Sequence, residues 1–258
     1  MSKIFVVGIG PGDRIYRTLQ AEQALKESNV LVGYGPYLEL IQSDFPEKVY
    51  ISSGMRQEKE RCRKCIDMAA EGKTVALVCS GDAGVYGMAS LLLETAAEMA
   101  EEKNGSGRSF PQIKVIPGVT AALSGSAILG APLGHDFCVI SLSNLLTSWE
   151  VIEKRLRCAA EGDFCIAIYN PGSHSRTENL KRACEVLLNH VPPDRLCGVV
   201  RMIGREGEEW TLCTLKELSA FSADMFQTIF IGNSKTRERN GWMVTPRGYD
   251  AGSERSEK

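Results

Sequence analysis

No stretch of this chain approaches the roughly eighteen consecutive apolar residues that a membrane-spanning helix requires. Neither sign of charge dominates: 30 Lys and Arg stand against 32 Asp and Glu, a net charge of −2 over 258 residues. Without an overall basic field, nucleic acid is not an expected partner. Histidine is scarce, with three in all. His174 falls in a turn and His190 precedes a Pro-Pro loop, so neither joins a ligand cluster, and no protein-bound metal is expected. Nine cysteines are present, but they lack the dense spacing of a secreted disulfide scaffold and read as reduced thiols. Cys62 and Cys65 form a lone CxxC in a helical pattern, which reads as a helix-surface pair rather than a metal or redox site. The opening MSKIFVVGIGPGD reaches a Gly/Pro/Asp turn too soon for a signal peptide, so a soluble, cytoplasmic protein is expected.

What is present is an alternation of apolar runs and helical patterns, in a chain 43% hydrophobic and 24% charged. KIFVVGIG suits a strand buried on both faces. A helix from about Tyr16 to Ser28, the strand VLVGY, a helix from Arg56 to Glu71, the strand TVALVCSG and a helix from Tyr86 to Glu102 follow. This order predicts an α/β domain with a largely parallel sheet. The polar stretch at 101–110 reads as a surface loop before the strand QIKVIPG. Beyond it, CVISLS, FCIAIYN, CGVVRMIG, EWTLCTL and TIFIGNS read as strands, with helices at Trp149–Ala160 and Arg176–Asn189. The short connection between EWTLCTL and TIFIGNS predicts a mixed second sheet. Two α/β domains are expected, 1–116 and 117–246, with a disordered polar tail at 247–258.

Three glycine-rich turns carry the chemistry. Gly8-Ile9-Gly10-Pro11-Gly12-Asp13 sits between a strand and a helix, where a dinucleotide fingerprint would. However, Pro11 removes an N–H and Asp13 occupies the third glycine position, which disfavours a pyrophosphate. A plain structural turn with a helix-capping Asp13 is the alternative. SGDAGVYG, Ser80–Gly87, also follows a strand and precedes a helix; it offers Asp82 and bare backbone but no Lys or Arg. That favours a ligand with a cation and hydroxyls over a nucleoside triphosphate. PGVTAALSGSAILGAPLGHDF begins a third turn and a helix rich in Ala, Gly and Ser. Such a helix serves either close approach by a ligand or tight helix packing alone. Both earlier turns fall at the carboxyl ends of strands, the edge where open parallel sheets bind ligands.

In this order and at these spacings VVGIGPGD, SGDAGVYGMA, IPGVTAA and TIFIGNS resemble the tetrapyrrole (uroporphyrin and corrin) methyltransferase family over residues 3 to about 249. SGMRQEKER, YGMA, LGHDFCVISLSNLLTSWEVIEKRL and YNPGSHSR, with SGDAG in place of a GGDP-type turn, are similar to its branch that methylates C-17 of precorrin-3B or cobalt-factor III with ring contraction in cobalamin biosynthesis. Asn144 and Ser148 depart from the pattern, where Asp and Pro are expected, and Arg14–Arg17 is atypically basic. The resemblance implies a two-domain homodimer with S-adenosyl-L-methionine (SAM) in the cleft between the domains and S-adenosyl-L-homocysteine as product. Carried over singly, Pro11, Gly81, Asp82 and Val85 face the ribose and methionine portions. Thr120 and Ala121 approach the cofactor, and Asn170, Ile203 and Thr228 line the adenine pocket. Asp82 is expected to give the cofactor a hydrogen-bonding acid.

Methylating a carbon that is already nucleophilic needs alignment and exclusion of water more than acid/base machinery. Ring contraction calls for a proton donor or acceptor, and Asp13, Glu58, His135 and Asp136 are the candidates, with capping, ion pairing or solvent exposure the alternative for each. The carboxylate rim of a tetrapyrrole suits guanidinium groups, and Arg56, Arg61, Arg176 and Arg201 lie in or beside the branch motifs. Tyr34 and Tyr86 either pack on the macrocycle or fill core. Competing readings are another methyltransferase of the family, acting at a different ring carbon or on the diphthine precursor, and a non-catalytic tetrapyrrole-binding protein. No cysteine cluster follows Tyr249, so no iron–sulfur centre is expected.

Overall fold

A computed structural model describes residues 2–102, 111–173 and 176–249. Of the loop expected at 101–110, residues 103–110 lie outside these residues, as do His174 and residues 250–258 of the tail expected at 247–258, while residues 101 and 102 belong to a helix. The chain divides into two compact units, Met1–Thr120 and Ala121–Lys258.

The N-terminal unit contains β1 (Lys3–Gly8), α1 (Leu19–Glu27), β2 (Val30–Tyr34), α2 (Gly35–Gln42), β3 (Val49–Ser53), α3 (Glu58–Ala70), β4 (Val75–Cys79), α4 (Ala89–Glu102) and β5 (Gln112–Ile116). Its strands form one parallel sheet in the order β3-β2-β4-β1-β5. The run KIFVVG suits this place because alternate side chains enter opposite cores. Ile4 and Val6 pack with α3 and α4, whereas Phe5 and Val7 pack with α1 and α2. Adjacent strands β1 and β4 therefore lead to helices on opposite faces, which opens a crevice at their carboxyl ends.

Local backbone sets the helix starts later than the apolar pattern does. The first expected helix begins at Leu19 because the Thr18 hydroxyl accepts from the Ala21 N–H at 3.1 Å. Arg14–Tyr16 form a separate 3-10 turn. Arg56 (φ 64°) and Tyr86 (φ 52°) are left-handed, so α3 and α4 cannot include them. The buried positions of α3 are Arg61, Cys62, Cys65, Ile66 and Ala69, the stripe of an amphipathic helix. Cys62 and Cys65 thus lie in the core and not on the helix surface. Burial pushes the Cys62 thiol up to about 12 and Cys65 further still. α2 and β3 went unread because Gly35-Pro36 resembles a turn; here Pro36 occupies the first turn of the helix, where its missing N–H costs nothing.

The C-terminal unit contains α5 (Ala121–Leu129), β6 (Gly130–Ala131), β7 (Phe137–Ser141), α6 (Trp149–Glu161), β8 (Cys165–Tyr169), α7 (Asn179–Leu188), β9 (Leu196–Arg201), β10 (Glu209–Thr214), α8 (Leu215–Leu218), β11 (Gln227–Ile231), β12 (Arg237–Arg239) and β13 (Trp242–Val244). The main sheet runs β10-β9-β11-β8-β7 and is mixed: β7 and β8 are parallel, and the remaining pairs are antiparallel. β10 and β11 are not neighbours despite their short connection, because β9 lies between them. α7 starts at Asn179 rather than Arg176. Helices α6, α7 and α8 cover one face, and α5 with Met243 of β13 covers the other. A Cβ on Gly125 would lie 3.0 Å from Ile203 Cδ1 and from the Phe230 ring, so the small residues of α5 serve tight packing on the sheet.

Candidate functional site

At the carboxyl ends of β1, β4 and β5 the three glycine turns of the N-terminal unit meet. Gly10 and Gly81 exchange backbone hydrogen bonds, at 3.0 Å from the Gly10 N–H and 2.7 Å from the Gly81 N–H. A Cβ on Gly8 would lie 2.7 Å from the Gly81 carbonyl oxygen, and one on Gly118 only 2.1 Å from it. No side chain fits between these backbones. Asp82 joins the same assembly. Its Oδ1 accepts from the N–H groups of Gly84 (2.7 Å) and Val85 (3.1 Å), while Oδ2 accepts from the Gly118 N–H at 2.9 Å. The carboxylate is thus committed to the frame and holds the second turn to the third. Gly118 and Thr120 fall within the first compact unit, Met1–Thr120. The turns present backbone groups and two carboxylates, Asp13 and Asp82, with no Lys or Arg in Ser80–Gly87. This donor set fits a ligand that carries a cation, such as SAM. Pro11 is buried, and Val85 and Thr120 are half-buried.

In the C-terminal unit the Ala122 N–H, at the open start of α5, donates to the Tyr169 hydroxyl oxygen at 2.7 Å. Ala121 precedes it. Asn170 follows β8 in the left-handed region (φ 52°), which Asn tolerates, and its Nδ2 donates to Ser141 Oγ at 2.9 Å. Met202, after β9, is left-handed as well (φ 54°). Ile203 and Thr228 are 6% and 5% exposed and act from within the core. Arg176 donates from Nη1 to Ser143 Oγ (2.6 Å) and from Nε to Ser173 Oγ (2.9 Å). Tyr169, Ser141 and Ser143 were not singled out from sequence, although the Ser-x-Ser spacing puts the two hydroxyls on one side of an extended chain.

The other candidates separate by what they touch. Arg61 is 6% exposed and donates to Ser53 Oγ, the Gly54 carbonyl and Met88 Sδ. Its donors brace Ser53 and Gly54 ahead of α3. Arg201 pairs with Asp224 and Glu209 at the protein surface. Arg56 is exposed, and its N–H donates to Glu58 Oε1 at 3.1 Å. In the basic segment Arg14–Arg17, Arg14 pairs with Glu22, and buried Arg17 pairs with Glu22 and Asp44 at 2.9 Å each, while its Nε has no hydrogen-bond partner among the described residues. Tyr34 packs edge-on against Tyr37 at 5.3 Å, whereas Tyr86 is 56% exposed.

Among the proton-transfer candidates, Asp13 Oδ1 accepts from the Ile15 N–H, the capping role. Glu58 is engaged by Arg56. His135 and Asp136 share a cavity of about 320 Å³ with Leu133, Gly134 and Arg247. His135 Nδ1 accepts the Asp136 N–H at 2.8 Å, which leaves Nε2 to carry the proton of the neutral ring. Among the described residues no group of His, Cys, Asp and Glu could hold a metal ion, and no helix is long and apolar enough to cross a membrane.

A family profile described as Tetrapyrrole (Corrin/Porphyrin) Methylases matches residues 3–219. A probable cobalt-factor III C(17)-methyltransferase of Salmonella typhimurium is 43% identical over 95% of this chain and 98% of its own length. A cobalt-factor III methyltransferase of Priestia megaterium is 42% identical over 96% of this chain, which spans only 45% of that relative. Among solved structures, the methyltransferase CobJ is 37% identical with a TM-score of 0.87, covering 95% of this chain and all (100%) of that one.

Proposed function

Because this chain belongs to the tetrapyrrole (corrin/porphyrin) methylase family, we propose that it transfers a methyl group from SAM to C-17 of cobalt-factor III or precorrin-3B and contracts the ring, in cobalamin biosynthesis. The observation that carries this reading is the backbone cradle of Gly8, Gly81 and Gly118 clasped by Asp82, at the crevice where β1 and β4 part. SAM, when bound, supplies an electrophilic methyl on a cationic sulfur. The cradle's part is to place that sulfur and exclude water, and the Asp82 charge favours a cation nearby.

Within the N-terminal unit Pro11, Gly81, Asp82, Val85 and Thr120 form the cofactor set, with Asp82 acting through the turns it holds. Of the C-terminal unit, Ala121, Asn170, Ile203 and Thr228 are the positions that the family resemblance assigns to the cofactor. Arg176 is the foremost guanidinium for the carboxylate rim, since Arg61 is buried and Arg201 is paired with carboxylates; Arg56 and Tyr86 remain exposed. For contraction, His135 and Asp136 stand ahead of Asp13 and Glu58, because they line a cavity while the other two are engaged by backbone. We further propose a cytoplasmic homodimer.

The test is anaerobic incubation of the purified protein with SAM and either cobalt-factor III or precorrin-3B, followed by mass and absorbance. A gain of one methyl on one of them supports the reading and fixes whether the substrate carries cobalt. Tight SAM binding without methylation of either would overturn the C-17 assignment in favour of another acceptor.

A further inference from the structure

We infer that Ser143 is a positioning residue that aims Arg176 at a carboxylate of the macrocycle, an inference that rests on the methyltransferase reading. β7 ends at Ser141, and residues two apart on extended chain face the same way. Ser141 and Ser143 therefore share one side, while Leu142 between them is fully buried (0% exposed). Ser141 Oγ accepts from Asn170 Nδ2 at 2.9 Å and from the Ser143 N–H at 3.2 Å. Ser143 Oγ in turn accepts from Arg176 Nη1 at 2.6 Å, and Ser173 Oγ accepts from Arg176 Nε at 2.9 Å. Asn170, Ser141, Ser143, Arg176 and Ser173 thus form one hydrogen-bonded chain across the carboxyl ends of β7 and β8.

The chemistry of the brace matters more than its existence. Arg201 is held by carboxylates, which neutralise it, but Arg176 is held by neutral hydroxyls, which fix the fork and leave the charge whole. Nε and one Nη1 hydrogen are used, while Nη2 has no hydrogen-bond partner among the described residues. Nη2 and the second Nη1 hydrogen are thereby left for a carboxylate. A guanidinium already fixed in one rotamer loses less freedom when that carboxylate binds.

Kinetics with SAM and whichever of cobalt-factor III and precorrin-3B is turned over test this. Ser143→Ala should raise the macrocycle KM about ten-fold, the worth of one charged hydrogen bond, with kcat and SAM affinity unchanged. Ser143→Thr, which keeps the hydroxyl, should restore the KM to within about two-fold of wild type. In the Arg176→Ala background the Ser143→Ala change should have no further effect, because the two act as a unit. An unchanged KM in Ser143→Ala, or additive losses in the double variant, would overturn the inference while leaving the methyltransferase reading intact. If Ser143→Ala does not fold, Ser173→Ala takes its place with the same expected KM rise, and an unchanged KM there overturns the inference equally. A wild-type protein inactive on both substrates would sink the methyltransferase reading itself, and the Ser143 role with it.

Discussion

Asp82→Ala removes a carboxylate that accepts three backbone hydrogen bonds. The bond to Gly118 bridges residues 36 apart and is half-buried, so its loss exposes a backbone donor that water reaches poorly. A charge-assisted bond of this kind is worth about 1.5–3 kcal/mol, and the two local bonds at the rim, partly replaced by water, add about 0.5–1 kcal/mol. The sum, about 2–4 kcal/mol, should lower the melting temperature by roughly 5–15 °C for a chain of this size. Asp82→Asn keeps an oxygen for Gly84 and Val85 but sets an amide N–H₂ against the Gly118 N–H, so it should fall between wild type and Asp82→Ala. Calorimetric SAM affinity should fall with the melting temperature, by about ten-fold or more in Asp82→Ala, because the binding-competent arrangement of the turns is less populated. Scanning fluorimetry and titration calorimetry on the same preparations read both effects. A melting temperature within about 2 °C of wild type would refute the staple; paired with lost SAM affinity, it would make Asp82 a direct ligand contact instead.

Gly118→Ala should destabilise the protein by about 3 kcal/mol or more, because the new Cβ would lie 2.1 Å from the Gly81 carbonyl oxygen, a backbone atom that cannot rotate away; an unchanged urea midpoint would contradict that packing. Burial raises Cys62 to about 12 and Cys65 higher, so both thiols stay protonated in the fold as pH climbs above their unfolded value, and the stability they contribute is present below about pH 9 and declines above it. Iodoacetamide at pH 8 should therefore modify exposed Cys158 in the native protein and leave Cys62 and Cys65 unmodified, and early labelling of either would contradict their burial. Burial raises Asp163, but the Ser234 hydroxyl and N–H and the Arg195 guanidinium outweigh it and hold the carboxyl below its ordinary value. Its contribution is present above the unfolded value and lost as pH falls through the folded one. Ser234→Ala should accordingly move the acid-unfolding midpoint to higher pH, and an unmoved midpoint would discount this link.

What the sequence made legible follows from what a local pattern can encode. β1 and β4 announce themselves because the buried stretch of a strand covered on both faces must be apolar, and IFVV and VALVC are. The starts of α3 and α4 do not, because the left-handed Arg56 and Tyr86 that delay them obey no residue preference. The CxxC misled for a related reason: spacing alone says that Cys62 and Cys65 share a face, and only packing tells which face it is. Functional roles divide in the same way. A glycine turn at a strand end is visible in one dimension, so the three turns were found. The bonds that give Asp82 its work include one to Gly118, 36 residues on, and nothing near Asp82 in the chain announces it. An acid in a glycine turn looks free to meet a ligand for as long as only its neighbours in the chain are seen. Arg61 and Arg176 were indistinguishable for the same reason. Their partners in space decide which of them can still receive a carboxylate: Arg61 is buried and spent on the Ser53 hydroxyl, the Gly54 carbonyl and the Met88 sulfur, whereas Arg176 is half-buried and held by two hydroxyls.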